Sequence, residues 1–177
     1  MYKRSHAWLF MAPALIIILV FSIIPSFMAL GLSFTNYNVF QQPKWVGLDN
    51  YRTTLQTGEF WKVLRNTIHY WLLVTPALVT LPVFVAALVN REWKGVKLYR
   101  LVFYFPVLVS VVITALIWGW MFQSNGILNY LLGLVGLGPV NWLTRRTSVM
   151  PSLALVTIWQ GLGYYMLFYL AGMQNIS

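Results

Sequence analysis

Four long apolar runs divide the chain, and none of them contains Asp, Glu, Lys or Arg. They cover residues 5–43, 66–90, 101–144 and 147–177. An α-helix needs about 20 mostly apolar residues to cross the hydrocarbon core of a bilayer, and each run exceeds that length. We therefore predict four transmembrane helices, at about residues 7–34, 67–89, 101–122 and 149–172. The pattern indicates an all-α polytopic membrane protein whose 177 residues form a single transmembrane domain.

Composition and charge support this fold class. Hydrophobic residues make up 59% of the chain and charged residues 8%, against about 25% charged in soluble domains. The net charge of +9 does not indicate nucleic-acid binding, because the basic residues lie in short segments between the predicted helices. The first apolar run is longer than the 7–15 residues of a signal-peptide core, so we interpret it as an uncleaved span.

The distribution of basic residues predicts the orientation. Six Lys or Arg lie in the short N-terminal tail and the loop 90–100, whereas the longer segments 35–66 and 123–148 together carry six. Short loops rich in Lys and Arg stay on the cytoplasmic side. We expect a multi-pass membrane protein with a cytoplasmic N-terminus.

Aromatic residues and one loop are expected to lie at the membrane surfaces. The predicted anchors are Trp8, Trp93 and Tyr99 on the cytoplasmic side and Trp61, Tyr70, Trp71, Trp118 and Trp120 on the outer side. The outer loop 126–142 is apolar but interrupted by Gly and Asn. It is too broken for a span, and a short helix in the interface is the better interpretation.

The chain offers no residues from which to build a catalytic, metal or cofactor site. It lacks a GxxxxGK[ST] phosphate loop, paired carboxylates and cysteines. We predict no enzyme activity, no cofactor and no metal. Ion-coupled carriers usually hold ionisable groups inside the membrane, and here only His69 lies within a predicted span. An ion-coupled carrier is thus weakly supported, and any transport would draw its energy from a partner.

The fourth span carries uncharged polar residues at helical spacing. Thr157, Gln160, Gly161 and Tyr164 fall at i, i+3, i+4 and i+7, an arc of about 100° on one helix face. A hydroxyl, an amide, a small residue and a phenol suit a neutral hydroxylated solute. The alternative is that these residues only pack against neighbouring helices. In the third span, we attribute Ser110 and Thr114 to hydrogen bonding with carbonyls of their own helix.

The order of segments resembles the permease subunits of binding-protein-dependent ABC sugar importers of the maltose and glycerol-phosphate type. The matching pieces include AWLFMAPALIIILVFSIIPSFMALGLSFTNY, WVGLDNYRTTL, FWKVLRNTIHY, RLVFYFPVLVSVVITALIWGWMF, GILNYLL and IWQGLGYYMLFYLAGMQNIS. The resemblance implies the six-helix core of a type I ABC importer permease, of which four spans are present. It also implies that Thr157, Gln160, Gly161 and Tyr164 line the sugar pathway. Val107 and Val111, also at pathway positions in such relatives, are apolar here, which leaves the solute open.

The resemblance further implies a set of partners. These are a second permease subunit, cytoplasmic ATPase subunits that hydrolyse ATP, and an extracytoplasmic solute-binding protein. The permease itself would lie in the lipid bilayer of the bacterial cytoplasmic (inner) membrane. In the family a cytoplasmic coupling helix and two more spans follow AGMQNIS, so we interpret this chain as the N-terminal part of a longer permease. A truncated, uncoupled subunit and a non-transporting membrane scaffold remain the alternatives.

Overall fold

The computed structural model describes residues 4–38, 40–91 and 94–174, with only the backbone for 4–7. Within these ranges the regular secondary structure is helical apart from one short hairpin, which confirms the predicted all-α fold class. Lys3 and Trp93, used above for the orientation and the aromatic anchors, lie outside the described residues. So does the segment 175–177, which ends the stretch that resembles the sugar permeases.

The elements follow one another in the order α1 (Arg4–Ile18), a π-helical turn (Leu19–Ile23), α2 (Ile24–Leu32), β1 (Thr35–Asn36), β2 (Lys44–Trp45), α3 (Asp49–Gln56), α4 (Gly58–Val89), α5 (Val96–Leu108), α6 (Val111–Met121), α7 (Ile127–Leu134) and α8 (Val149–Gln174). Internal contacts divide the chain into two compact units, Met1–Val63 and Leu64–Ser177.

Within the described residues, three helical stretches are long and apolar enough to cross a membrane: Trp8–Leu32, Gly58–Val89 and Val149–Gln174. They correspond to the predicted first, second and fourth spans. The first stretch contains Pro13 and passes through the π-helical turn, after which Pro25 lies in the first turn of α2. The second stretch continues through Pro76 and Pro82 without a break.

The predicted third span is not one helix. Residues 101–108 belong to α5 and residues 111–121 to α6, and the axes of the two helices meet at 99°. Pro106 has no N–H to donate to the preceding turn, and Val109 adopts an extended conformation. The Ser110 hydroxyl accepts from the Val112 N–H and so caps α6 instead of bonding to a carbonyl. The Thr114 hydroxyl, which we also expected to bond to its helix, is buried and has no hydrogen-bond partner in the described part of the chain.

In the unit Met1–Val63 a hydrogen-bonded cap follows the first apolar stretch. β1 and β2 pair antiparallel, with Thr35 opposite Trp45. The Asn50 amide of α3 donates to the carbonyls of Ser33 and Thr35 at 2.8 and 2.9 Å. The Phe34 ring stacks on Trp45 at 5.6 Å. Polar contacts thus fix α3 to the end of α2.

In the unit Leu64–Ser177 the centre is the crossing of α5 and α8. A Cβ placed on Gly163 would lie 2.7 Å from the Phe103 carbonyl carbon and 2.9 Å from the Tyr104 Cα. Only glycine permits this close backbone approach. Beside the crossing is a buried cluster formed by Ala86, Val89, Met166 and Leu170. The last turn of α4 is capped by the Arg100 guanidinium, which donates to the Val89 carbonyl at 2.7 Å.

Candidate functional site on helix α8

Thr157 is the predicted site residue whose side chain bonds to a side chain of another helix. Its hydroxyl lies 2.6 Å from the Tyr70 hydroxyl of α4, and both residues are half-buried. In apolar surroundings the two hydroxyls stabilise each other by a hydrogen bond, because a buried hydroxyl without a hydrogen bond costs free energy. The pair thus joins α4 to α8 and leaves lone pairs available to a further hydrogen-bonding group.

Gln160 and Gly161 face the interior of the unit Leu64–Ser177. The Gln160 amide donates to the Val109 carbonyl at 3.4 Å, at the break between α5 and α6. A Cβ on Gly161 would lie 3.1 Å from a Leu78 methyl group of α4. Both contacts are between helices, so these two residues position α8 against its neighbours.

Tyr164 differs from the other three residues because its side chain is 48% exposed. Its ring makes edge contacts with Tyr165 at 5.4 Å and Phe168 at 4.9 Å. No hydrogen bond of its hydroxyl is seen within the described ranges. The predicted face therefore combines three residues held by other helices with one phenol that is available to a solute or another subunit.

A cavity of about 310 Å³ opens beside the Tyr70–Thr157 pair. Aromatic rings form much of its wall: Trp118 lies 5.3 Å from Phe122 and makes an edge contact with Trp159 at 5.6 Å. The lining residues are Tyr70, Ala115, Trp118, Gly119, Phe122, Leu143, Leu153, Val156 and Thr157. A cavity lined by aromatic rings and two hydroxyl groups, with no charged side chain, is suited to a neutral hydroxylated molecule.

A second cavity of about 390 Å³ shares three residues with the first, namely Gly119, Phe122 and Leu143. Its other walls carry the neutral polar side chains of Gln123, Ser124, Asn125, Asn141 and Thr144, together with the Trp142 ring. The lining of this second cavity is uncharged, and the three shared residues place it next to the cavity beside Thr157.

Asn129 on α7 holds the loop in shape. Its amide nitrogen donates to the Gln123, Ser124 and Val140 carbonyls at 3.1–3.2 Å. Its amide oxygen accepts from the Val140 N–H and from the Trp142 indole N–H. Because the side chain is only 7% exposed, all of its hydrogen-bonding capacity is used inside the protein.

Sequence reasoning missed Tyr70, Trp118 and Asn129 as parts of this region. Tyr70 and Trp118 were predicted as membrane anchors, yet their side chains line the cavity. Tyr70 is 87 residues from Thr157, so no local spacing could connect them. For Asn129, an isolated amide within the apolar sequence GILNYLL was the available signal. Among the residues that the structure describes, no cluster of His, Asp or Glu could hold a metal ion.

Known proteins resemble the chain in sequence and in fold. The probable ABC transporter permease protein YesP of Bacillus subtilis is 37% identical over 170 residues, which is 94% of this chain and 55% of that protein. The lactose transport system permease protein LacF of Rhizobium radiobacter is 30% identical, over 99% of this chain and 60% of that protein. No family model matches the chain.

Among solved structures, a bacterial alginate ABC transporter in complex with an alginate pentasaccharide-bound periplasmic protein contains a similar chain. The TM-score is 0.78 at 26% identity, and the match covers 98% of this chain and 59% of that chain. The chain therefore spans somewhat more than half the length of the relatives that it matches.

Proposed function

We propose that this chain, a homologue of ABC transporter permeases over almost its whole length, forms part of the translocation pathway of an ATP-driven importer for a sugar or a similar polar solute. The homologues are permease subunits, which are not themselves catalytic. In this proposal ATP is hydrolysed by separate cytoplasmic subunits, and the chain works with a second permease subunit and an extracytoplasmic solute-binding protein. It lies in the bacterial cytoplasmic membrane with its N-terminus inside.

The observation that carries the proposal is the likeness of the whole fold to the alginate transporter chain. It extends over 98% of this chain and therefore includes the broken helix pair α5–α6 as well as the long helices. A likeness of this extent supports a common architecture, whereas one matching helix pair would not. The relatives named for lactose, starch degradation products and trehalose/maltose support a sugar as the solute class.

The four residues of the α8 face have different roles in this proposal. Tyr164 contacts the solute directly, since its phenol is exposed and bonded to nothing else in the described residues. Thr157 acts with Tyr70 at the edge of the uncharged cavity. Gln160 and Gly161 keep α8 in place against α4 and the α5–α6 break.

A purely structural role for this face is the second candidate, and specific contacts favour it for three residues. Thr157, Gln160 and Gly161 each touch another helix. Membrane helices commonly associate through such small and polar residues. Under a scaffold function Tyr164 would also contact a protein partner, and no solute would pass.

Uptake and assembly measured on the same variants separate the two functions. The chain is expressed from its native locus, accumulation of labelled lactose, maltose, glucose, xylose and arabinose is measured, and ATPase subunits are co-purified. Tyr164→Ala should reduce uptake of the accumulated sugar about tenfold, which corresponds to loss of about 1.4 kcal/mol of binding, and leave assembly intact. Tyr165→Ala is the matched control, because Tyr165 is the neighbouring ring and is 42% exposed.

Three outcomes would contradict the proposal. Failure of Tyr164→Ala to assemble would support the scaffold function. Normal uptake by an assembled Tyr164→Ala transporter would remove Tyr164 from the pathway. Uptake that collapses when an uncoupler is added while cellular ATP is maintained would identify an ion-coupled carrier.

A further inference from the structure

Helix α7 presents an unpartnered apolar stripe. Ile127, Tyr130, Leu131 and Leu134 fall at i, i+3, i+4 and i+7, and their exposed fractions are 55%, 65%, 51% and 65%. This spacing places all four on one face of the helix. No other described residue covers that face, although its members are as apolar as those of a buried core.

The opposite face of α7 is fixed to the protein. Asn129 lies on that face, and its five hydrogen bonds tie α7 to the segments before and after it. A helix held in this way cannot rotate to bury its stripe. The stripe is therefore a permanent feature of the surface.

The start of α7 lies directly against the end of α6. A Cβ on Gly126 would be 2.5 Å from the carbonyl oxygens of both Trp120 and Met121, which form the last turn of α6. The protein is embedded in a membrane, and α6 is an apolar half of the bent pair that could cross it. α7 thus begins at the level where α6 ends, which is the level of the bilayer surface.

The same loop carries two exposed cations. Arg145 and Arg146 occupy the turn that leads into α8, where the Val149 N–H donates to the Arg145 carbonyl. Cations are disfavoured near the N-terminus of a helix, so their position is not explained by α8 itself. The sequence contains no Asp or Glu after Glu92, and the loop is therefore purely cationic.

We propose that the α7 stripe is a membrane-surface anchor that lies in the boundary between headgroups and acyl chains, with Arg145 and Arg146 binding the phosphates of anionic phospholipids. An exposed apolar face combined with nearby Lys or Arg is the arrangement by which interfacial helices bind membranes. α6, against whose last turn α7 begins, likewise exposes apolar side chains such as Leu116 and Trp120. A protein partner would have to supply acidic residues to match the arginines, whereas anionic lipid headgroups supply phosphates.

Nitroxide labelling tests the depth of the stripe. The chain has no cysteine, so Leu134→Cys gives a single labelling site. Gly133→Cys is the matched control, because it lies one residue away, off the stripe, and nothing within 4 Å would obstruct a side chain there. In phosphatidylcholine vesicles the label at 134 should lie about 5–10 Å below the headgroups, collide with oxygen and be protected from a water-soluble nickel chelate. The label at 133 should remain accessible to nickel.

Varying the charge of the lipid tests whether Arg145 and Arg146 bind lipid phosphates. Adding phosphatidylglycerol should increase the nickel protection at 134 in the parent chain, and the variant R145Q/R146Q should lose this increase. Arg52→Gln, which removes an exposed cation outside the loop, should keep it. Equal nickel access at 133 and 134 in both vesicles would overturn the proposal. Protection that requires an added solute-binding protein would instead assign the stripe to protein docking, and indifference of the parent chain to phosphatidylglycerol would refute the role of the arginines.

Discussion

The first apolar stretch and helix α8 are both long enough to cross a membrane, but they differ in what they touch. None of the most apolar part of Trp8–Leu32 is buried within the chain, whereas 22% of the corresponding part of α8 is buried. α8 also carries Gly163, Gly161 and Thr157, which contact other helices. The first stretch carries no buried residue in α2 or the π-helical turn.

The difference shows that length and hydropathy decide whether a helix enters the membrane but not what it packs against. Inside lipid there is no hydrophobic gain from joining two apolar helices, so association depends on small residues and interhelical hydrogen bonds. α8 has both. In the first stretch the Ser26 hydroxyl donates to the Ser22 carbonyl of its own helical segment, and the large exposed side chains are apolar.

The strongest test of the difference between the two helices is to block the close backbone contact between α8 and α5. Gly163→Ala would place a methyl group against the Phe103 and Tyr104 backbone, and since backbone cannot yield as a side chain can, we expect about 1–3 kcal/mol of destabilisation. Gly172→Ala is the control on the same helix, where nothing lies within 4 Å. Denaturant unfolding of the purified chain in detergent measures both. Equal stability of the two variants would show that α5 and α8 do not cross at Gly163.

The next largest change in stability is expected for a substitution in the loop between α6 and α8. Asn129→Ala would leave the Val140 N–H and the Trp142 indole N–H without their acceptor, and an unsatisfied buried donor costs about 1–3 kcal/mol. Protection of the Val140 amide from hydrogen exchange should fall. Asn125→Ala, at an exposed amide, should leave it unchanged. Unaltered exchange in Asn129→Ala would mean that the loop is held by other contacts.

The sequence could predict those features of the fold that depend on residues close together in the chain. Apolar runs are local in sequence, and they predicted the long helices and the fold class. The break between α5 and α6 was missed because hydropathy does not report direction, although Pro106 followed by Ser110 is a stop-and-cap signal that could have indicated it. The spacing of Thr157, Gln160, Gly161 and Tyr164 placed them on one side of α8, and the first three contact other parts of the chain.

What could not be foreseen was the partner of each polar residue. Tyr70 pairs with Thr157 across 87 positions, and Gln160 reaches a carbonyl that is free only because the helix breaks at Val109. Such pairings depend on which helices become neighbours, and a single sequence contains no record of that. The role of these residues in moving a solute stays a prediction.

The Tyr70–Thr157 pair allows a finer measurement of the interhelical contacts. Tyr70→Phe and Thr157→Val each remove one hydroxyl, and their double-mutant cycle isolates the bond between α4 and α8. We expect a coupling of about 0.6 kcal/mol, the average for such bonds within membranes, from unfolding midpoints in bicelles. The cycle Thr80→Val with Thr157→Val should show no coupling, because the Thr80 hydroxyl bonds to Pro76 in its own helix. Coupling in that control cycle would mean that the values reflect general loosening of α4.

The smallest change in stability is expected for a substitution in the first stretch. Its result shows whether that stretch faces its own chain, a partner or lipid. Phe21 is 74% exposed, so Phe21→Ala should change the stability of the isolated chain by less than about 0.5 kcal/mol. Met166→Ala, at a residue with no exposed surface, should cost about 2–5 kcal/mol of stability.

A large loss of stability in Phe21→Ala would show that the first stretch packs within its own chain as α8 does. If stability is unchanged, co-purification with the proposed partner subunits becomes informative. Weakened recovery of a partner would mean that the Phe21 face binds a subunit, and unchanged recovery would mean that it faces lipid, where replacing one apolar side chain with another changes little.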